Sequence, residues 1–165
     1  MDYPNMKPTL NNLGQCIGFP LPNWVAPPLP PREPMKGRFC RLEPLDLDHH
    51  AAALFEADAA DADERSWTYL AYGPFSDFAS YRAWLRANCL GDDPLFFTII
   101  DTADGRPAGV ASYLRITPAA GSIEVGHIHY ALRLKRRPAA TEAMYLMMQR
   151  PSSLATGGTN GNATR

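Results

Sequence analysis

The sequence predicts an α/β fold of the α+β kind, a mixed sheet covered by helices, in the order strand, two helices, three strands, helix. Three features point to it. Residues alternate from Arg38 to Leu45 as a half-buried strand does. Two stretches of helical spacing follow, each opened by an aspartate. Three β-rich runs on short links come next, and strands joined that closely pair antiparallel, with the helices layered on the sheet.

In the first strand Phe39, Arg41 and Glu43 alternate with Cys40 and Leu42. Asp46 offers its side-chain oxygen as an N-cap, and Leu47, Ala51, Leu54 and Phe55 recur at helical spacing. A second helix starts near Asp77, with Phe78, Tyr81, Trp84, Leu85 and Cys89 on one face, and Gly91 is expected to end it in a left-handed turn. Between the helices, Asp58, Asp61, Asp63 and Glu64 read as a solvated acidic run. Trp67, Tyr69, Tyr72, Phe75 and Phe78 read as packing aromatics of the same link. Leu95 to Asp101 is the second strand, Asp104-Gly105 a hairpin turn, and Pro107 to Ile116 the third strand. A turn through Thr117, Pro118 and Gly121 leads into the fourth, Ser122 to Tyr130.

Length and charge narrow the function classes. A chain of 165 residues is at most one domain, and a net charge of -1 argues against a dedicated nucleic-acid or membrane-surface binder. No apolar run approaches the ~18 residues that span a bilayer. Cys16, Cys40 and Cys89 are odd in number and not spaced as a pair, which fits reduced thiols and a cytoplasmic setting. Residues 1–36 carry nine of the sixteen prolines and read as an extended leader. The domain proper is expected over 37–150, with 151–165, rich in Gly, Ser, Thr and Asn, as a disordered tail that begins at Pro151.

The chemistry concentrates where the fourth strand turns into the last helix. Arg133, Lys135, Arg136 and Arg137 precede Pro138, which suits the first helical position because its missing N–H would have had no partner there. Free first-turn amides, the helix dipole and adjacent cations form an anion site suited to a pyrophosphate. A solvated basic loop accounts for the same charges. His127 and His129 share a strand face without a third metal ligand, and no metal is expected.

The stretch E-V-G-H-I-H-Y, followed by K-R-R-P-A-A-T-E-A-M-Y-L-M-M, resembles the fourth strand and acetyl-CoA loop of GNAT-type N-acetyltransferases, particularly the branch of ribosomal-protein N-terminal acetyltransferases. In that family a Gln/Arg-x-x-Gly-x-Gly/Ala loop opens the third helix. Lys135 stands at the Gln/Arg position, Pro138 at the Gly position and Ala140 at the final small position. Pro138 removes one N–H that the family presents to phosphate. The resemblance covers residues 38 to 150, the family's N-terminal half.

It implies acetyl-CoA as cosubstrate, bound by Ile128, Tyr130, Lys135, Arg136, Arg137, Pro138, Ala139, Ala140 and Thr141. It also implies a small-molecule or protein N-terminal amine as acceptor, attacking the thioester directly, with Glu124 as the candidate base on the fourth strand. An acyl-enzyme through a cysteine is not suggested. Within codon degeneracy, residues 151–165 shifted by one base read F-E-L-G-Y-R-R-Y-E-W-K-C-D-S, which resembles the continuation of this branch; a one-base loss near codon 150 is the expectation drawn from it. A truncated chain of this kind is an enzyme by ancestry or, alternatively, a non-catalytic remnant or partner-dependent module with a basic anion-binding loop.

Overall fold

The first two α-helices after the leader begin where the sequence places a capping group. In the computed structural model, which describes residues 9–18 and 23–155, the Asp46 carboxylate accepts from the backbone N–H of Asp48 and His49 at the start of α1 (Leu47–Asp58). Asp77 does the same for Ser80 at the start of α2 (Phe78–Asn88). Such caps satisfy amides that have no partner within the helix.

The strands are β1 (Thr9–Leu10), β2 (Cys16–Ile17), β3 (Met35–Lys36), β4 (Cys40–Pro44), β5 (Leu95–Asp101), β6 (Pro107–Thr117) and β7 (Ser122–Tyr130), and α3 spans Pro138–Ala155. β3 to β7 form one sheet in chain order, and every pairing in it is antiparallel among the described residues. β5 is buried along its whole length, as a central strand between two helical layers must be. Leu95, Phe97 and Ile99 face Ala139, Ala143 and Met147 of α3, whereas Phe96 joins Ala51, Leu54, Tyr81 and Leu85 of α1 and α2. The expected strand–helix–helix–three strands–helix order is the observed one.

The leader is less uniform than an extended segment. β1 and β2 close a small hairpin around Asn11, whose side chain accepts from Leu13 and Gln15, and Gly14 turns with φ 77°. Further on, β3 adds to the sheet edge, a position that the preceding Pro34 permits. The Arg150 guanidinium donates to the carbonyls of Pro31, Glu33 and Pro34, which ties the leader to α3. The F-P-L-P motif at 19–22 lies outside the described residues.

Two expected helix ends are corrected. α2 stops at Asn88 without a left-handed Gly91; the carbonyls of Leu90 and Gly91 are taken by Arg32 of the leader instead. α3 does not break at Pro151 but runs to Ala155. Proline there has no N–H for the carbonyl of Met147, four residues earlier. The buried Tyr113 hydroxyl of β6 donates to that carbonyl at 2.7 Å in its place. The rest of the expected tail, 156–165, lies outside the described residues.

The A-T-E-A segment has a structural duty. Glu142 accepts from the backbone N–H groups of Arg38, Phe39 and Cys40 at 2.6 to 2.8 Å and so pins the start of β4 to α3. No helix among the described residues is long and apolar enough to cross a membrane.

Candidate functional site

β7 is the last strand of the sheet, and among the described residues its outer edge pairs with nothing. Its register against β6 slips midway. Ser112 faces Gly126 and Val110 faces His129, so β7 carries one extra residue over that step. His127 takes up the bulge with φ 48°, a left-handed conformation that few residues other than glycine adopt. The bulge turns both histidines toward the layer of α1 and α2. The His127 ring lies 5.7 Å from Tyr72 and 5.2 Å from Phe96, and the His129 ring stacks on Trp67 at 3.9 Å.

Trp67 is set by its own neighbours. Tyr72 and Phe75 meet it edge-on, and Gly73, with φ 72°, passes so close that a Cβ there would sit 2.4 Å from the indole. Tyr69 of the same link is 98% exposed and takes no part. Asp61, at the head of this link, accepts from Ser66 through both the backbone N–H and the hydroxyl.

Beneath Trp67 lies Asp58, the last residue of α1. Its Oδ1 is 3.5 Å from His129 Nδ1, and the two side chains are only 9% and 4% exposed. Among the described residues neither Asp58 Oδ1 nor His129 Nε2 has a hydrogen-bond partner. Burial, with the charge of Asp61 adding to it, pushes the Asp58 carboxyl up to about 7. Burial followed by the Lys135 charge pushes His129 down to about 4. Around pH 7 the imidazole is therefore neutral and the carboxyl partly protonated, so the contact is not a full ion pair. A cavity of about 230 Å³ opens beside Asp58, with Phe55, Trp67, Phe75 and Tyr81 among its walls.

The acidic run is thus not uniformly solvated: Asp58 and Asp61 are covered, whereas Asp63 and Glu64 are exposed. The signal was present in the helical spacing. Asp58 follows Ala51 and Leu54 by seven and four residues, on the buried face of α1.

At the other end of β7 the basic turn divides by role. Arg133 is held by Asp104 at 2.6 Å and by the Pro107 carbonyl, and Arg137 reaches Asp101 at 3.9 Å. Lys135 and Arg136 are exposed and pair with no carboxylate among the described residues. Arg136 adopts φ 59°, and the N–H groups of Arg136 and Arg137 donate to no other described residue. Successive free amides around a left-handed residue at a helix start form a concavity suited to anions. Pro138 and Thr141 are exposed, Ala139 is buried, and the Ala140 N–H turns back to the Arg137 carbonyl.

The remaining expected site residues scatter. Ile128 is 40% exposed, whereas the Tyr130 ring packs toward α3 and its hydroxyl donates to the Ala140 carbonyl. Glu124 pairs with Arg115 at 2.5 Å near the opposite end of β7. Six residues of strand, roughly 20 Å at ~3.3 Å each, separate it from Tyr130. Cys40 and Cys89 are buried and their thiols pushed up to about 12, so neither is a thiolate at neutral pH. Among the described residues no group of three His, Cys, Asp or Glu side chains is gathered as metal ligands.

Solved structures place this architecture. A GCN5-related N-acetyltransferase from Brucella melitensis is 42% identical over 82% of this chain and 62% of its own, with a TM-score of 0.79. A probable GNAT-family acetyltransferase from Chromobacterium violaceum is 30% identical over 85% of this chain and 70% of its own, with a TM-score of 0.75. The chain belongs to the GNAT family.

This GNAT chain spans 62% of the length of the Brucella protein. Mycobacterium smegmatis RimJ, solved in complex with CoA-disulfide, shares the fold at 21% identity and a TM-score of 0.51. No family model matches the sequence. No curated protein matches it either.

Proposed function

We propose that this GNAT chain is an N-acetyltransferase that holds acetyl-CoA along β7 and the turn from Lys135 to Thr141 and acetylates a primary amine, of a small molecule or a protein N-terminus. The observation that carries the reading is the turn itself. Among the described residues, Lys135 and Arg136 stand free of carboxylates beside the unpartnered amides of Arg136 and Arg137, at the start of an 18-residue helix. These groups fit a pyrophosphate, whose charge the helix dipole and the cations would jointly stabilise. Acetyl-CoA would supply an acyl group already activated as a thioester. Ile128 and Tyr130 would border it through the open edge of β7, while Pro138, Ala139, Ala140 and Thr141 keep the first turn of α3 narrow enough for close approach. With both buried cysteines protonated, direct attack by the amine within a ternary complex is the route proposed.

Calorimetry with acetyl-CoA tests the reading. Saturable binding that falls at least tenfold in the Lys135→Ala, Arg136→Ala double variant is expected. Equal binding by the variant, or no binding by the parent chain, overturns it, and the second result favours the non-catalytic remnant. Binding to any polyanion that falls steeply with salt would instead mark a general anion module.

We also propose, from the codon reading, that a one-base loss near codon 150 separates 37–150 from an original continuation. Sequencing the gene beyond codon 165 checks it: a shifted frame without an Asn-x-x-Ser and Leu-Gly-Phe continuation sinks the idea.

A further inference from the structure

A buried carboxylate is costly unless a cation or several hydrogen bonds compensate it. Asp58 has neither. Its side chain is 9% exposed, and among the described residues its Oδ1 makes no hydrogen bond and its sole ion-pair neighbour is His129, itself 4% exposed and stacked on Trp67. No other charged or titratable group around this spot pairs with it among the described residues: Asp61 and Glu64 line the same cavity with the same sign of charge, and the cation Lys135 makes no ion pair. Asp61 on the following link adds negative charge, and Tyr81 of α2 feels the Asp58 charge as repulsive to its own ionisation. Lys135 acts on Asp61 and His129.

What the site does have is room. Asp58 lines the cavity beside Trp67, whose other walls include the rings of Phe55, Phe75 and Tyr81. Aromatic faces attract cations, so a carboxylate framed by them is a receptor for an ammonium group carried on an apolar or aromatic stem.

We infer that this cavity seats the acceptor amine and that Asp58 is the group that takes its proton, with His129 as the positioning residue behind it. The inference rests on the acetyltransferase reading for its purpose, although not for its geometry. The step balances within the pair. One N–H bond of the bound R–NH3+ breaks, an O–H bond forms on the Asp58 carboxylate, and the electron pair stays on nitrogen, free to attack an acyl carbon. Glu124 is the rival base; its pairing with exposed Arg115 lies on the other side of the β7 bulge.

The first test needs no acyl donor. Phenethylamine and its uncharged analogue 2-phenylethanol are titrated into the full chain at pH 8 by calorimetry. The amine is expected to bind more tightly than the alcohol, and Asp58→Asn to weaken the amine at least tenfold while leaving the alcohol unchanged. Equal amine binding by the variant, or no preference of the parent chain for the amine, overturns the inference. The second test separates proton transfer from binding. The acid limb of kcat/KM should disappear in Asp58→Asn and persist in Glu124→Gln, with the Kd for acetyl-CoA unchanged in both; a limb retained in Asp58→Asn overturns the assignment. Loss of acetyl-CoA binding would strike the proposed function alone, since the amine titration reads the cavity independently.

Discussion

Removing either member of the Asp58–His129 pair should uncover a pH dependence of stability that the intact pair conceals. The Asp58 carboxyl is raised from its ordinary value of 3.8 to about 7 in the fold. Between those values the folded chain keeps a proton that the unfolded chain releases, so this group makes stability fall as pH rises. At ~1.4 kcal/mol per pH unit the fall amounts to about 4 kcal/mol. His129 works in the opposite sense. Its imidazole is lowered from 6.5 to about 4, so between those values the unfolded chain holds the extra proton and stability rises with pH. That rise is about 3 kcal/mol. The two slopes overlap and largely cancel in the intact chain. In Asp58→Asn only the rise remains, and in His129→Gln only the fall. Urea unfolding followed by tryptophan fluorescence from pH 4 to 7.5 measures both, and groups outside the pair drop out when each variant is compared with the parent. Stability curves of both variants that run parallel to that of the parent would refute the reasoning.

Three further outcomes follow from the same contacts. Tyr113→Phe should destabilise by about 1–3 kcal/mol, because the Met147 carbonyl beneath Pro151 loses its donor, and Pro151→Ala should recover part of this by restoring a backbone N–H; a double-mutant cycle in urea reads the coupling. Glu142→Gln should cost roughly 1–3 kcal/mol at pH 7, since the carboxylate receives three backbone N–H groups. Those bonds hold its carboxyl below the ordinary 4.5, so the difference from the parent should shrink as pH falls through that depressed value. Gly109→Ala should lower the melting temperature, because a Cβ there would stand 2.4 Å from the backbone carbonyl of His129, a group that cannot swing aside.

Much of the fold was legible because local chemistry and tertiary packing agree. Asp46 and Asp77 cap their helices as residue types suited to that position, and the β5 and β7 boundaries fall where the apolar patterns begin and end. The left-handed end expected at Gly91 and the break expected at Pro151 are both absent for a shared reason. In each case a distant donor, Arg32 or Tyr113, satisfies a carbonyl that local rules would leave unpaired or hand to a turn. Such donors are invisible to reasoning along the chain.

The candidate site divides along the same line. By itself the sequence determined the basic turn, its helix start and the family that they announce, because an anion site at a helix N-terminus is assembled from consecutive residues. Only the tertiary structure decided which cations are free, because Asp104 and Asp101 approach Arg133 and Arg137 from the β5–β6 hairpin. It alone also joined Asp58 to His129 across 71 positions of chain, under the indole of Trp67. A carboxylate acquires an unusual proton affinity from what is packed around it, and that packing exists only once helix, link and strand have met.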